Sequence, residues 1–503
     1  MRPEQFSTPP ETGGVTVDAF AQAAEQAAGA GARLRRDDSG DAPPPLRRVS
    51  LAEAARWRLG MSPAQLRAAL AKTPALPRER PAEGGLPRGF DPSDLPALEA
   101  ALAPARRLAR PEGAAAKTLA VSNFKGGVGK TSLAAHLAIC AAMDGLKVLM
   151  VDLDSQGSLS GLLGGAAQDE WDTAWTLLAR DYARTRRAAG LELDEDLSRA
   201  AEADPKALIR PTSWPGLDLI PAQLDLYWAE FQAPVWRMSL PAWRIWEGLQ
   251  AGLADAAEGY DLIVLDTPPA LGHLTVNALA AADLLLVPFG ASFLEIDSTG
   301  RFFDMLHATF ASIEAAEGVR FEWDAVRCVL TRYDAAQQAE LAALAEGWFG
   351  PLMARVRLEA TALAQQAGEQ AAPIHAADPA DFNPATYRRG RAAFEAVWTE
   401  MRPLVEAAWA RELAELEGGL ACENNRSRPT PAPSRCGFAC ETWPGGSAHG
   451  PPPPESGRAF GPRNQVRAPV GARSGPASGS PSGRRRGRGL GRGARRRAPA
   501  GGG

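Results

Sequence analysis

The strongest chemical signal in the chain is LAVSNFKGGVGKTSLAAHLA, residues 119–138. An apolar run leads into Lys125, Gly126, Gly127, Val128, Gly129, Lys130, Thr131 and Ser132, then directly into an apolar-periodic helical stretch. Glycines at these offsets let backbone N–H groups turn inward around phosphate oxygens, and a helix start adds partial positive charge. Lys130 is placed to reach the β- and γ-phosphates of a nucleotide, and the Thr131 hydroxyl to ligate Mg²⁺. A second segment, VLMVDLDSQGSLS at 148–160, ends in Asp152 and Asp154, which the two-residue strand period sets on one face toward that loop. A third, YDLIVLDTPPALGHLTVNALAAADLLLVPF at 260–289, delivers Asp266 at the end of a buried strand, where a carboxylate can hold Mg²⁺ through water. A nucleotide with Mg²⁺ is the expected ligand.

KGGVGKT is similar to the deviant Walker A motif of the ParA/MinD superfamily of P-loop ATPases. The resemblance implies that the nucleotide is ATP and that Lys125 crosses the interface of an ATP-bound homodimer to the partner's phosphates. Residues 148–160 resemble the family's Walker A′ segment, with Ser155 in place of a common proline, which makes Asp154 the residue that positions or activates the attacking water. Asp152 then supports the metal shell. Residues 260–289 look like the Walker B and switch segment, giving Asp266 the metal. PAQLDLYWAEF (221–231), LTRYDAAQQAE (330–340) and DPADFNPATYRRGRAAFEAVWTEM (378–401) are similar to parts of plasmid ParA/RepA-type partition ATPases. In that branch a DNA-binding extension precedes the ATPase, and VSLAEAARWRLGMSPAQLRAAL (49–70) resembles its helix-turn-helix. The resemblance implies a cytoplasmic, nucleoid-associated ATPase that binds DNA, is stimulated by a ParB-type centromere-binding partner and segregates a plasmid or chromosome. The alternatives are a nucleotide-switched repressor of a partition operon, or a MinD-like positioning ATPase. The latter uses a C-terminal amphipathic helix, which the Gly/Arg/Pro-rich terminus here does not offer, so no membrane partner is expected.

Elements must position these residues. Strand patterns at 118–123, 147–153, 217–221, 261–266, 283–288 and 325–331 alternate with helical patterns at 131–143, 274–282 and 296–316. Such alternation predicts an α/β fold with a doubly wound, mostly parallel sheet and ligands at the strands' carboxyl ends. The ATPase domain is expected over 117–417, behind a linker at 104–116. Residues 46–103 read as a winged helix-turn-helix: Ser50 caps one helix, Gly60 punctuates, and Ser62 with Pro63 opens a second. That second helix would carry Gln65 and Arg67 to DNA. Arg388, Arg389 and Arg391, at the start of a long apolar-periodic helix, are further candidates for phosphate contact. Residues 1–45 read as a disordered tail with one short helix at 17–28, and 418–503 as a second.

Composition narrows the class. The chain has 503 residues, 45% hydrophobic and 23% charged, with no apolar run of bilayer-spanning length. Its N-terminus lacks a secretory pattern. Five scattered cysteines do not make a disulfide framework; Cys140 and Cys328 sit in apolar segments, and Cys436 with Cys440 is half of a metal site at most. Residues 422–503 hold 15 Arg, no Lys and 3 Glu, a balance of +12, against 40 basic and 56 acidic residues in the remainder. An acidic body cannot attract nucleic acid by its overall field, so any contact there must come from local arginines.

Overall fold

The computed structural model describes residues 47–57, 59–82, 88–102, 108–360, 373–376 and 382–424. The expected tails, residues 1–45 and most of 418–503, lie outside these, as do the helix expected at 17–28 and part of the linker.

The first helices are α1 (Leu51–Trp57), α2 (Pro63–Lys72) and α3 (Leu95–Leu102). Ser50 and Glu53 cap α1 reciprocally, Glu53 N–H donating to Ser50 Oγ (3.3 Å) and Ser50 N–H to Glu53 Oε2 (3.0 Å). Ser62 and Gln65 do the same for α2. Two antiparallel bridges, Val49 with Phe90 and Arg80 with Gly89, close the segment between α2 and α3. A Cβ on Gly89 would stand 2.5 Å from Val49 O, so only glycine lets these backbones pair.

The sheet contains β1 (Lys117–Val121), β2 (Val148–Asp152), β3 (Arg210–Pro211), β4 (Leu217–Ile220), β5 (Leu262–Asp266), β6 (Leu284–Gly290), β7 (Ala325–Tyr333) and β8 (Met353–Glu359), in the order β3-β4-β2-β5-β1-β6-β7-β8. Every pair is parallel except β3–β4. Between strands run α4 (Lys130–Met143), α5 (Ser158–Leu163), α6 (Ala174–Ala188), α7 (Glu195–Glu202), α8 (Ala229–Ser239), α9 (Gly248–Ala256), α10 (His273–Ala281), α11 (Phe293–Glu317), α12 (Ala339–Phe349) and the 41-residue α13 (Pro384–Asn424). The doubly wound sheet is therefore as the sequence predicts, each of the six expected strands lying within a few residues of its observed span. Two edge strands, β3 and β8, are additional.

Alternation along the central strands feeds two cores. Leu119, Val121, Val148, Met150, Leu262 and Val264 face one side, with α4 and α13; Ala120, Leu149, Val151, Ile263 and Leu265 face the other, with α6, α9 and α11. Each such Leu, Ile or Val contributes about 1.5–3 kcal/mol on leaving water. Leu51, Ala54, Leu66 and Leu98 of the N-terminal helices, with Phe90 of the bridge, join the first of these cores rather than a separate one. Cys140 and Cys328 are buried thiols, as expected, and burial pushes Cys328 up to about 12.

Candidate nucleotide-binding site

β1 ends at Val121 in the middle of the sheet, and the chain turns through the glycine loop into α4. Gly127 (φ 72°) and Gly129 (φ 89°) take left-handed backbone that a side chain disfavours. A Cβ at Gly126, Gly127 or Gly129 would meet nothing within 4 Å, so the loop borders open space of the kind phosphates occupy. Distant residues brace it. Asn123 Nδ2 donates to Pro288 O (3.0 Å) while its Oδ1 accepts from Lys125 N–H (3.0 Å), and Thr331 Oγ1 donates to Val128 O (2.9 Å).

The two lysines are placed differently. Lys130 is 7% exposed, its Nζ donating to Lys125 O (3.3 Å). Burial lowers its pKa, against the pull of Asp266 and Asp154. Lys125 is exposed. On α4, His136 is fully buried, which lowers its pKa to about 4; its neutral ring bonds Ser132 O (2.6 Å) and accepts from Ile374 N–H (2.9 Å).

Parallel register brings the carboxylates together. Asp152 of β2 pairs with Asp266 of β5, which pairs on its other side with Val121 of β1. Asp152 Oδ2 accepts from Ser160 N–H (2.9 Å) and Ser160 Oγ (2.7 Å), and Oδ1 from Asp154 N–H (3.2 Å). Burial raises its pKa to about 6 against those donors. Asp154 is half-buried, its Oδ1 accepting from Gln156 N–H (3.1 Å). Asp266 is fully buried and neither carboxylate oxygen receives a protein hydrogen bond of normal geometry. Burial and the Asp152 charge push it well above the usual carboxylate range, with Thr131 and Lys130 opposing them. An orphaned buried carboxylate is costly unless a cation or donor joins it. Among the described residues no three His, Cys, Asp or Glu groups converge as a metal cage. The orphaned Asp266 carboxylate near a glycine loop with open space around it fits Mg²⁺, which takes one or two carboxylates together with substrate phosphates.

Beside the loop opens a cavity of about 430 Å³, lined by Val128, Gly129, Ser132, Thr331, Leu358 and Phe394. Arg332, at its rim, is the single non-glycine residue with positive φ (52°) among the described residues. A larger cavity, about 680 Å³, lies between α1 and α13 and contains none of the loop residues in its lining.

The sequence-predicted DNA contacts divide. Arg67, Arg388 and Arg389 are exposed. Gln65 is exposed too, but its Oε1 accepts from Ser62 N–H (2.7 Å) as a helix cap. Arg391 is corrected: it is 6% exposed, bonding Glu53 (3.1 Å) and Glu395 (2.7 Å), and so ties α13 to α1 instead of facing solvent. Sequence reasoning missed Asn123 and Thr331, which act through contacts far apart in the chain, and Ser160, which bonds Asp152 eight residues before it.

A glycine loop at the end of a central parallel strand, with two carboxylate-ended strands beside it, defines a P-loop nucleotide-binding protein. The family model described as an AAA domain matches residues 116–313. The chromosome partitioning protein ParA of Caulobacter vibrioides (strain NA1000 / CB15N) is 33% identical over 218 residues, covering 43% of this chain and 70% of that protein. A Sinorhizobium fredii (strain NBRC 101917 / NGR234) relative with the provisional name replication protein A is 32% identical over 310 residues, 60% of this chain and 72% of that one. A solved structure described as a partition protein shares the fold at a TM-score of 0.51 and 19% identity, covering 76% of this chain and 98% of its own. The chain belongs to the ParA family of P-loop partition ATPases. No helix among the described residues is long and apolar enough to cross a membrane.

Proposed function

We propose that the chain binds Mg²⁺-ATP at residues 125–132, dimerises on ATP, binds DNA in that state and is reset by hydrolysis to ADP and phosphate. A ParB-type centromere-binding protein stimulates the turnover, and the cycle segregates a plasmid or chromosome in the nucleoid-containing cytoplasm. The observation that carries this reading is Asp266, an orphaned buried carboxylate on the same sheet edge as a glycine loop open to ligand. Gly126 to Ser132 supply backbone donors and helix-start charge to the phosphates, and Lys130 adds a buried cation. Mg²⁺ supplies charge neutralisation on the phosphate oxygens, and Thr131 and Asp266 would hold it. Asp152, bonded through Ser160, fixes the strand end behind that shell. Asp154 orients the attacking water, Lys125 reaches the partner's phosphates, and the cavity beside Ser132 and Phe394 takes base and ribose. Residues 46–103 act as the DNA-reading unit and 117–417 as the ATPase.

The test separates the lysines. Lys130→Ala should abolish binding of a fluorescent ATP analogue. Lys125→Ala should keep that binding yet lose ATP-dependent dimerisation and partner-stimulated turnover. Wild-type behaviour of both variants would refute the assignment.

A second reading, operator binding by the N-terminal helices with nucleotide as the switch, is favoured by the capped α2 and the paired Arg80 and Gly89. Normal segregation by an Asp154→Ala protein that cannot hydrolyse ATP would select it.

A further inference from the structure

The segment after β4 inverts the usual burial pattern. It begins as a short 3₁₀ turn, Leu224–Trp228, and continues as α8. Leu226, Ala229 and Ala233 point inward and are fully buried. Outward stand Leu224 (69% exposed), Tyr227, Trp228, Phe231, Val235 and Met238 (82%), a run of six large apolar side chains on one helical stripe. Its aromatic members pack edge-on against one another, Tyr227 to Phe231 at 5.2 Å and Trp228 to Phe231 at 6.0 Å between ring centroids. Side chains of ~200–250 Å² exposed to this degree present roughly 800 Å² of apolar surface. That exceeds the ~300–600 Å² of the largest patch on a typical monomer and matches one partner's share of a standard interface.

The segment is fastened to the candidate site just ahead of its start and again in the first turn of α8. Ala222 N–H donates to Ser160 Oγ (2.9 Å), the hydroxyl that bonds Asp152. Glu230 accepts from His273 N–H (2.6 Å) and Leu274 N–H (3.1 Å), capping α10, the next helix after the strand that carries Asp266. The stripe therefore lies along the carboxyl edge of the sheet, where Lys125 is also exposed. A second copy whose Lys125 reaches this loop must approach that edge.

We infer that the Leu224–Met238 stripe is the apolar core of the interface with a second copy of this chain. The inference rests on the ATP-dependent homodimer proposed above. The interface is isologous: the same patch on each copy is buried when the two nucleotide loops face one another, and is solvated in the nucleotide-free monomer. Trp228 and Phe231, central and aromatic, carry most of the association energy.

Sedimentation of the full-length protein, with and without Mg²⁺ and a non-hydrolysable ATP analogue, tests this. Wild type should dimerise only with the analogue. Trp228→Ser/Phe231→Ser, both changes lying on the surface, should keep analogue binding within about two-fold while its dimer dissociation constant rises at least ~30-fold. A variant that dimerises like wild type overturns the stripe and leaves the homodimer standing. A wild-type protein that stays monomeric with bound analogue overturns the homodimer itself, and the stripe with it. Hydrogen exchange over 224–239 provides a second readout: protection should need both analogue and micromolar protein. Protection independent of both would assign the cover to the same chain, and wild-type binding to phosphatidylglycerol vesicles that the variant loses would assign it to a membrane; either result overturns the inference.

Discussion

Replacing Glu53 with Gln keeps the side chain's shape and removes the one charge shared by Arg47 and Arg391. Both guanidinium groups are buried, their side chains 10% and 8% exposed, and both bond the Glu53 carboxylate, Arg391 at 3.1 Å. Burial acts to raise the Glu53 pKa, but the hydrogen bond and charge of Arg47, with Ser50, override it and hold the carboxyl at about 2 instead of its ordinary 4.5. At about 1.4 kcal/mol per pH unit, that difference is worth on the order of 3 kcal/mol, the lower end of what breaking a buried ion pair costs. A carboxylate depressed in the folded state contributes stability that is complete above pH 4.5 and is lost as pH falls toward 2. Urea unfolding followed by tryptophan fluorescence should therefore show Glu53→Gln less stable by about 3 kcal/mol at pH 7. The gap should shrink as pH is lowered through that window. A loss under about 1 kcal/mol at pH 7, or a gap that does not change with pH, would mean that α1 is not held to α13 by this charge.

Arg388→Ala/Arg389→Ala should weaken binding to random-sequence duplex DNA and lower the slope of log affinity against log salt by about 2, without changing thermal stability; an unchanged slope removes these residues from the interface. Arg391→Ala should do the reverse, lowering the melting temperature before it alters that slope. Glu230→Ala removes the cap on α10 and should cost about 1 kcal/mol in urea unfolding. It should also slow ATP turnover more than it weakens analogue binding, because the cap bears on the segment that follows Asp266. Equal losses in both would reduce Glu230 to a purely structural cap.

The glycine loop and the three aspartates were legible because their chemistry is local: strand, turn and helix follow within a dozen residues. Asp154, although β2 stops at Asp152, is held beside it by a turn in which its N–H donates to Asp152 Oδ1. The central strands were legible for a related reason, since burial on both faces writes a nearly unbroken apolar run. β8 was not, because Met353–Glu359 alternates between wet and dry at the sheet's margin and mixes Arg and Glu with its apolar residues. Thr331 was hidden by distance, its partner Val128 lying 203 residues away. Arg391 was misread although its position was available: it stands four residues after Tyr387 and three before Phe394, both buried, on the stripe that α13 turns inward. A run of arginines looked like a wet face, and helical periodicity divided it.

At about 1.5 Å per residue α13 extends roughly 60 Å. Its Tyr387 and Arg391 meet α1 and its neighbours, Trp398 and Arg402 both bond Asp144 at the end of the loop helix, and Trp409 bonds Ala115 just ahead of β1. Translation supplies this beam only after every strand of the sheet has been made. A growing polypeptide therefore leaves one broad greasy flank of the sheet, and the contacts that seat its earliest helices, unclosed until residues near 410 emerge from the ribosome, so closure around the loop helix is a late event in the protein's birth.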